Sequence, residues 1–299
     1  MPARGLLRSG ALVLIAILST ALGAGRVSAQ ELVLRHHQGK GDKAKYDFAC
    51  ATKARMDLDQ GLVASAADML LQMKVLVEFS GADSPSHQDV CGQILSGQLK
   101  IKAAEGEETI AFGEGVVNYE ISPLGEIRRA ALLAGNLPIL PGIWLIFGPD
   151  DAFLLGGTAI FPDRPVKKGD KWQGVARVPN AVNGQVAEIR YQSTVLAQEQ
   201  LLGRPCLKIK TTRSAQTKQM VPIPGTAAVV QAKMTMTGSV IWRFDYERGL
   251  IVKADADDKL SIALRLEDPD SRTSDLSFTA GLKYESKLTE YNGKKVGAG

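Results

Sequence analysis

Polar and apolar residues alternate along most of this chain. Tyr46, Phe48, Cys50, Thr52, Ala54, Met56 and Leu58 interleave with Lys45, Asp47, Lys53, Arg55, Asp57 and Asp59. A period of two held over this length predicts a strand with one buried and one wet face. Asp59-Gln60-Gly61 predicts a turn. Met69, Leu71, Met73, Val75, Val77 and Phe79 then alternate with Gln72, Lys74 and Glu78, which makes the returning strand of a hairpin. Alanine and leucine over residues 62–77 also suit a helix. The valine-rich second half and the alternation favour the strand.

Shorter strands are expected at Leu32 to His37, Gln98 to Lys102, Thr109 to Phe112 and Val116 to Ile121, with a turn at Ser122-Pro123-Leu124-Gly125. The second half repeats the pattern. Ala187 to Leu196 and Pro205 to Thr212 flank a turn near Gly203. Ala232, Met234, Met236, Gly238, Val240, Trp242, Phe244 and Tyr246 share one face. Leu250 to Ala254, Leu260 to Leu266 and Leu276 to Leu288 follow, with Asp268 to Asp275 as a turn. The pattern predicts a mainly β protein with little helix, a meander of long antiparallel strands. Strands this long must bend, and Gly238, in mid-strand, is the expected bulge or bend. Their apolar faces are hidden by curling into a half-barrel, barrel or sandwich.

Two stretches recur. Lys40-Gly41-Asp42-Lys43 returns as Lys168-Gly169-Asp170-Lys171, and Val116 to Ile127 aligns with Val240 to Ile251. The offsets, 128 and 124 residues, are nearly equal and point to a duplicated β unit. The expected organisation is a signal peptide over residues 1–29, a first β repeat over 30–129, a connector over 130–160 and a second repeat over 161–299. The connector is apolar and broken by Pro138, Pro141 and Pro149, so it is expected to pack on the sheets, with a helical turn starting at Pro149-Asp150-Asp151.

The signal-peptide reading rests on Arg4 and Arg8, the apolar run Ala11 to Ala24, and Val27-Ser28-Ala29 before Gln30. It implies export to a periplasm or the extracellular space, with no membrane span after cleavage. Loss of Arg4, Arg8 and Arg26 takes the basic residues from 36 to 33, against 32 acidic ones. A chain so nearly neutral gives no electrostatic reason to expect nucleic acid. Export also permits a disulfide. Cys50 and Cys91 are the candidate pair, with Cys206 left over; the competing expectation is three inert thiols.

Chemistry is sparse. His36, His37 and His87 read as surface histidines, and adjacent His36 and His37 point to opposite sides of a strand. Gly39 to Ala44 has the spacing of a dinucleotide-binding turn, but a strand follows where a helix is required. Asp268-Pro269-Asp270 lacks the glycine and glutamate of a calcium loop. No metal site, cofactor or catalytic residue is assigned. Met56, Met69, Met73, Met234, Met236 and Trp242 on the apolar faces are the candidate ligand-binding residues, because methionine adapts to irregular apolar ligands.

The string Phe161-Pro162-Asp163-Arg164-Pro165-Val166-Lys167-Lys168-Gly169-Asp170-Lys171-Trp172, with its echo at Lys40 to Lys43, resembles a group of bacterial secreted proteins classed as domains of unknown function. These share an FP-x-x-P-V-K-x-G-D-x-W string and two β-rich halves. In layout the chain is more distantly similar to periplasmic lipoprotein carriers of the LolA type. That similarity implies a long antiparallel sheet curled around an apolar cavity, a fold-level analogy. The expected function is non-enzymatic binding of an apolar or lipid-like ligand between curved sheets. The alternatives are an envelope structural protein with a filled core and a hydrolase using a carboxylate pair.

Overall fold

A computed structural model describes residues 31–58, 65–84, 86–113, 115–134, 159–179, 186–222, 229–267 and 274–297. Thirteen strands form one antiparallel sheet, and the described residues contain no helix. The first half supplies β1 (Lys43–Leu58), β2 (Ser65–Ser84), β3 (His87–Ala103), β4 (Gly106–Phe112), β5 (Gly115–Ile121) and β6 (Ile127–Ala134). The second supplies β7 (Lys171–Pro179), β8 (Val186–Leu201), β9 (Arg204–Pro222), β10 (Val229–Asp245), β11 (Leu250–Glu267), β12 (Ser274–Tyr291) and β13 (Lys294–Lys295).

Eleven strands follow one another in the order β6-β5-β3-β2-β1-β12-β11-β10-β9-β8-β7; β4 pairs with β3 and β13 with β12. The path curls into a nearly closed barrel whose two ends, β6 and β7, flank the seam. Each half is a meander, and the halves join where β12 pairs with β1.

Alternation decides which face turns inward. On β1, Phe48, Cys50 and Thr52 are buried while Asp47, Ala51 and Lys53 are exposed; β10, β11 and β12 follow the same rule. Outward positions carry ion pairs such as Lys45–Glu290, Lys43–Glu78 and Lys253–Glu285. This is the inverse of the apolar exterior of a transmembrane barrel.

Bulges bend the long strands. The register between β2 and β3 shifts so that Val75 meets Ile94 and Lys74 meets Ser96. Leu95 is the extra residue, pushed outward and 41% exposed. The inward set of β3 changes there from Val90 and Ile94 to Leu99, as insertion of one residue requires. Gly238 is not such a point: the pairing of β10 with both neighbours runs unbroken through it.

The strand expected at Leu32 to His37 is reduced to one bridge, Leu32 with Val166. Residues 130–134, expected in the connector, belong to β6, and the two segments expected over 250–266 are one strand. The helical turn expected at Pro149 lies outside the described residues, as do the signal sequence and most of the connector.

The two Lys-Gly-Asp-Lys turns are built alike. Gly41 (φ 81°) donates to Phe79 O and Gly169 (φ 90°) to Val195 O. Asp42 O receives Phe79 N, and Asp170 O receives Val195 N. Asp42 N returns to Gly39 O and Asp170 N to Lys167 O, both at 3.1 Å. Each turn starts the first strand of its half against the second.

One end of the barrel is closed by chain. His36 N donates to Pro123 O and Phe161 N to Leu124 O. His36 stacks on Phe161 at 5.1 Å and meets the edge of Phe244. Its Nε2 lies 3.1 Å from Ala159 O. His36 is therefore a buried packing residue, not the surface histidine expected; His37, beside it, is exposed as the alternation requires. The turns that hold this plug need glycine at 125 and 249. Both have positive φ, and at either position a Cβ would run into the backbone of the plug.

Candidate ligand-binding lumen

The antiparallel register aligns inner-face residues in rows across the sheet. One row runs through Tyr191, Arg213, Gly238, Asp258, Leu282, Thr52 and Met69 on β8, β9, β10, β11, β12, β1 and β2. Arg213 and Asp258 are buried charges in this row, with side chains 7% and 4% exposed. Arg213 holds Asp258 with two donors: Nε to Oδ1 at 3.2 Å and a terminal nitrogen to Oδ2. It also donates to the Tyr284 hydroxyl at 2.7 Å. Burial opposes the guanidinium charge, but Tyr284 and the Asp258 carboxylate favour it, and the Arg213 pKa stays above its ordinary value. Burial also pushes the Tyr284 hydroxyl up, so it remains protonated.

A second polar chain lies one row away, toward the plug. Trp242 Nε1 donates to Thr211 Oγ1 at 3.1 Å, and Ser193 Oγ lies 2.9 Å from the same oxygen. Together these groups form a polar belt. On its plug side the core holds Phe48, Val75, Leu207, Ile209, Trp242, Phe244 and Leu288. On its far side a separate cluster holds Ala176, Ile189, Ala215, Ala232, Met234, Met236, Leu260, Ile262, Phe278 and Ala280.

The far side carries small and larger residues in neighbouring rows, with alanines concentrated on β12, β1 and β2. The row next to the belt reads Ile189, Ala215, Met236, Leu260, Ala280, Ala54 and Ala67. The next reads Met234, Ile262, Phe278 and Met56. Ala54, Met56, Ala67, Leu264 and Leu282 face inward yet stay partly exposed. An eight-stranded barrel is just wide enough for side chains to fill; eleven strands enclose more.

The methionines expected to bind ligand are thus divided. Met234 and Met236 line the far side, with Met56 paired to Phe278 beside them. Met69 sits in the belt opposite Thr52. Met73 and Trp242 belong to the plug-side core.

Cys50 and Cys91 do not form the expected disulfide. All three cysteines are free thiols. Cys50 points inward on β1 and Cys91 outward on β3, with β2 between them; Cys50 pairs with Leu71 but Cys91 with Glu78. That offset alone exceeds ~20 Å along the strand, far beyond disulfide reach. Burial, then Asp245 and Glu199, push the Cys206 thiol up to about 12.

Among the described residues the buried acids are Asp258 and Asp245; Arg213 occupies the first and Arg204 the second, rather than another carboxylate. No cluster of three or more His, Cys, Asp or Glu suited to a metal occurs among the described residues. Two cavities on the inner face are small. One of about 70 Å³ lies against the plug between Gln38, Tyr46 and Tyr119, and one of about 50 Å³ lies behind the seam between Ala176, Tyr191, Thr211 and Arg213. Comparison with protein-family models and with curated proteins finds no match to the chain.

Proposed function

We propose that the protein is an exported, non-enzymatic carrier that binds one apolar, chain-like ligand in the half of its barrel beyond the Arg213–Asp258 row. One observation carries this reading: Ala54, Met56, Ala67 and Leu264 face the inside of the curve and still reach solvent. An apolar concave wall that water can touch is the surface such a ligand would cover. Met56, Met234 and Met236 on that wall suit a ligand without fixed shape.

The likeness to half-barrel lipoprotein carriers, the reading of two repeated β units and the export signal belong to the same proposal. The matching Lys-Gly-Asp-Lys turns support the repeat. The alternative, a structural envelope protein with a filled core, has in its favour the small volume of the two inner-face cavities.

Filling the alanine wall tests the reading. Ala54→Trp and Ala280→Trp should each weaken binding of a neutral long-chain fluorophore, N-phenylnaphthylamine, at least tenfold while the protein stays folded. The outward change Lys283→Ala should leave binding unaltered. Equal binding by all variants would remove the lumen as the site.

A further inference from the structure

We infer that the cavity behind the β6–β7 seam is the subsite for the ligand's head, and that it selects an uncharged oxygen-bearing head, an ester or an alcohol, over an ionised acid. This deepens the carrier reading and rests on it.

The cavity joins the apolar far side to the polar belt. Ile127 of β6 and Ala176 of β7 bound it at the seam; Tyr191, Thr211 and Arg213 close it on the inside. Its volume of about 50 Å³ is on the order of two water molecules, the bulk of a small head and not of a chain. A chain starting there runs directly along Ala176 and Ile189 into the far-side cluster.

The preference follows from the charges already present. Arg213 and Asp258 form a pair with no net charge. A carboxylate added beside them would bury an uncompensated negative charge, which is costly in a low-dielectric interior. An ester carbonyl or a hydroxyl needs only a hydrogen-bond donor.

Tyr191 supplies it. Its hydroxyl lines the cavity and, among the described residues, has no hydrogen-bond partner. Burial raises its pKa, so it stays protonated and able to donate. Its position is fixed by an absent side chain: a Cβ at Gly174, its register partner, would lie 2.6 Å from the hydroxyl.

The test uses the full chain and four probes at pH 8: hexadecane, hexadecanol, methyl hexadecanoate and hexadecanoate. Each displaces N-phenylnaphthylamine. The alcohol and ester should bind at least tenfold more tightly than the ionised acid. Tyr191→Phe, which removes one hydrogen bond, should weaken ester binding about fivefold and leave hexadecane unchanged. Gly174→Ala, which displaces the hydroxyl, should do the same. Thermal melts of both variants establish that they are folded. Unchanged ester binding in folded Tyr191→Phe, or tightest binding of hexadecanoate, overturns the head subsite and leaves the carrier reading standing. If none of the four probes binds the wild type, both fall.

Discussion

Arg213 and Asp258 meet across a strand to which neither belongs. Arg213 is on β9 and Asp258 on β11, and both take Gly238 of β10 as their register partner. The ion pair fits because residue 238 has no side chain: a Cβ there would overlap Asp258 Oδ1 and approach Asp257 O to 2.6 Å. The glycine serves the pair, not a bend.

Gly238→Ala should therefore behave as a mutation of the ion pair. It is expected to cost about as much as Asp258→Asn, which leaves a buried guanidinium uncompensated, roughly 3–5 kcal/mol. Urea denaturation measures both. Replacing the pair together, as Arg213→Met with Asp258→Leu, should cost less than Asp258→Asn alone.

Acid should destabilise the plug through His36. Burial lowers its pKa to about 4, against 6.5 for the free side chain, and neighbouring His37 adds to the shift; the backbone bonds to Ala159 and Gly249 oppose it. With the folded-state value depressed, the unfolded chain binds the proton first. Stability is full above pH 6.5, falls as pH drops from 6.5 toward 4, and loses no more from this group below 4. The loss is on the order of 3 kcal/mol. His36→Phe should flatten the stability curve in that window. A slope unchanged by the substitution would assign it to another group.

Asp42 and Asp170 hold equivalent turns with unequal support. Asp42 accepts from Gly39 N (2.7 Å), the Tyr291 hydroxyl (2.6 Å) and Asn292 Nδ2 (2.7 Å). Asp170 accepts from Lys167 N and Arg164, both beyond 3 Å. Asp42→Ala should lower stability by about 1–2 kcal/mol. Asp170→Ala should lower it less, as paired thermal melts would show.

The thiols should all titrate. Cys91, partly exposed, reacts first with a thiol reagent; Cys50 and Cys206 wait for unfolding. Without reductant, denatured protein should yield three equivalents of thiol. One equivalent would mean a disulfide that this register forbids.

The strands were legible because alternation is local. The inward sets of β1, β11 and β12 follow from parity alone, whereas that of β3 changes parity at the Leu95 bulge. Register is not local, and it decides the rest. Cys50 and Cys91 look pairable until β2 lies between them, and the methionines look like one group until the rows divide them. The charged belt did leave a trace. Asp258 has the parity of Ala254, Ala256, Leu260 and Ile262, while Asp255 and Asp257 have the opposite one. Arg213 likewise shares parity with Leu207 and Ile209. A charge in the inward series is the signal of a buried pair. His36 also shares parity with Leu32 and Leu34, but the partners that bury it, Phe161 and Phe244, are far away in sequence.

An apolar ligand held in the far half of the barrel should survive purification. Native mass spectrometry of the full chain, purified without detergent from cells and then extracted with solvent, tests it most directly. The expected result is a stoichiometric added mass, lost on extraction and regained on incubation with envelope lipids. A clean apo mass that stays unchanged after that incubation would contradict it and leave a filled structural barrel.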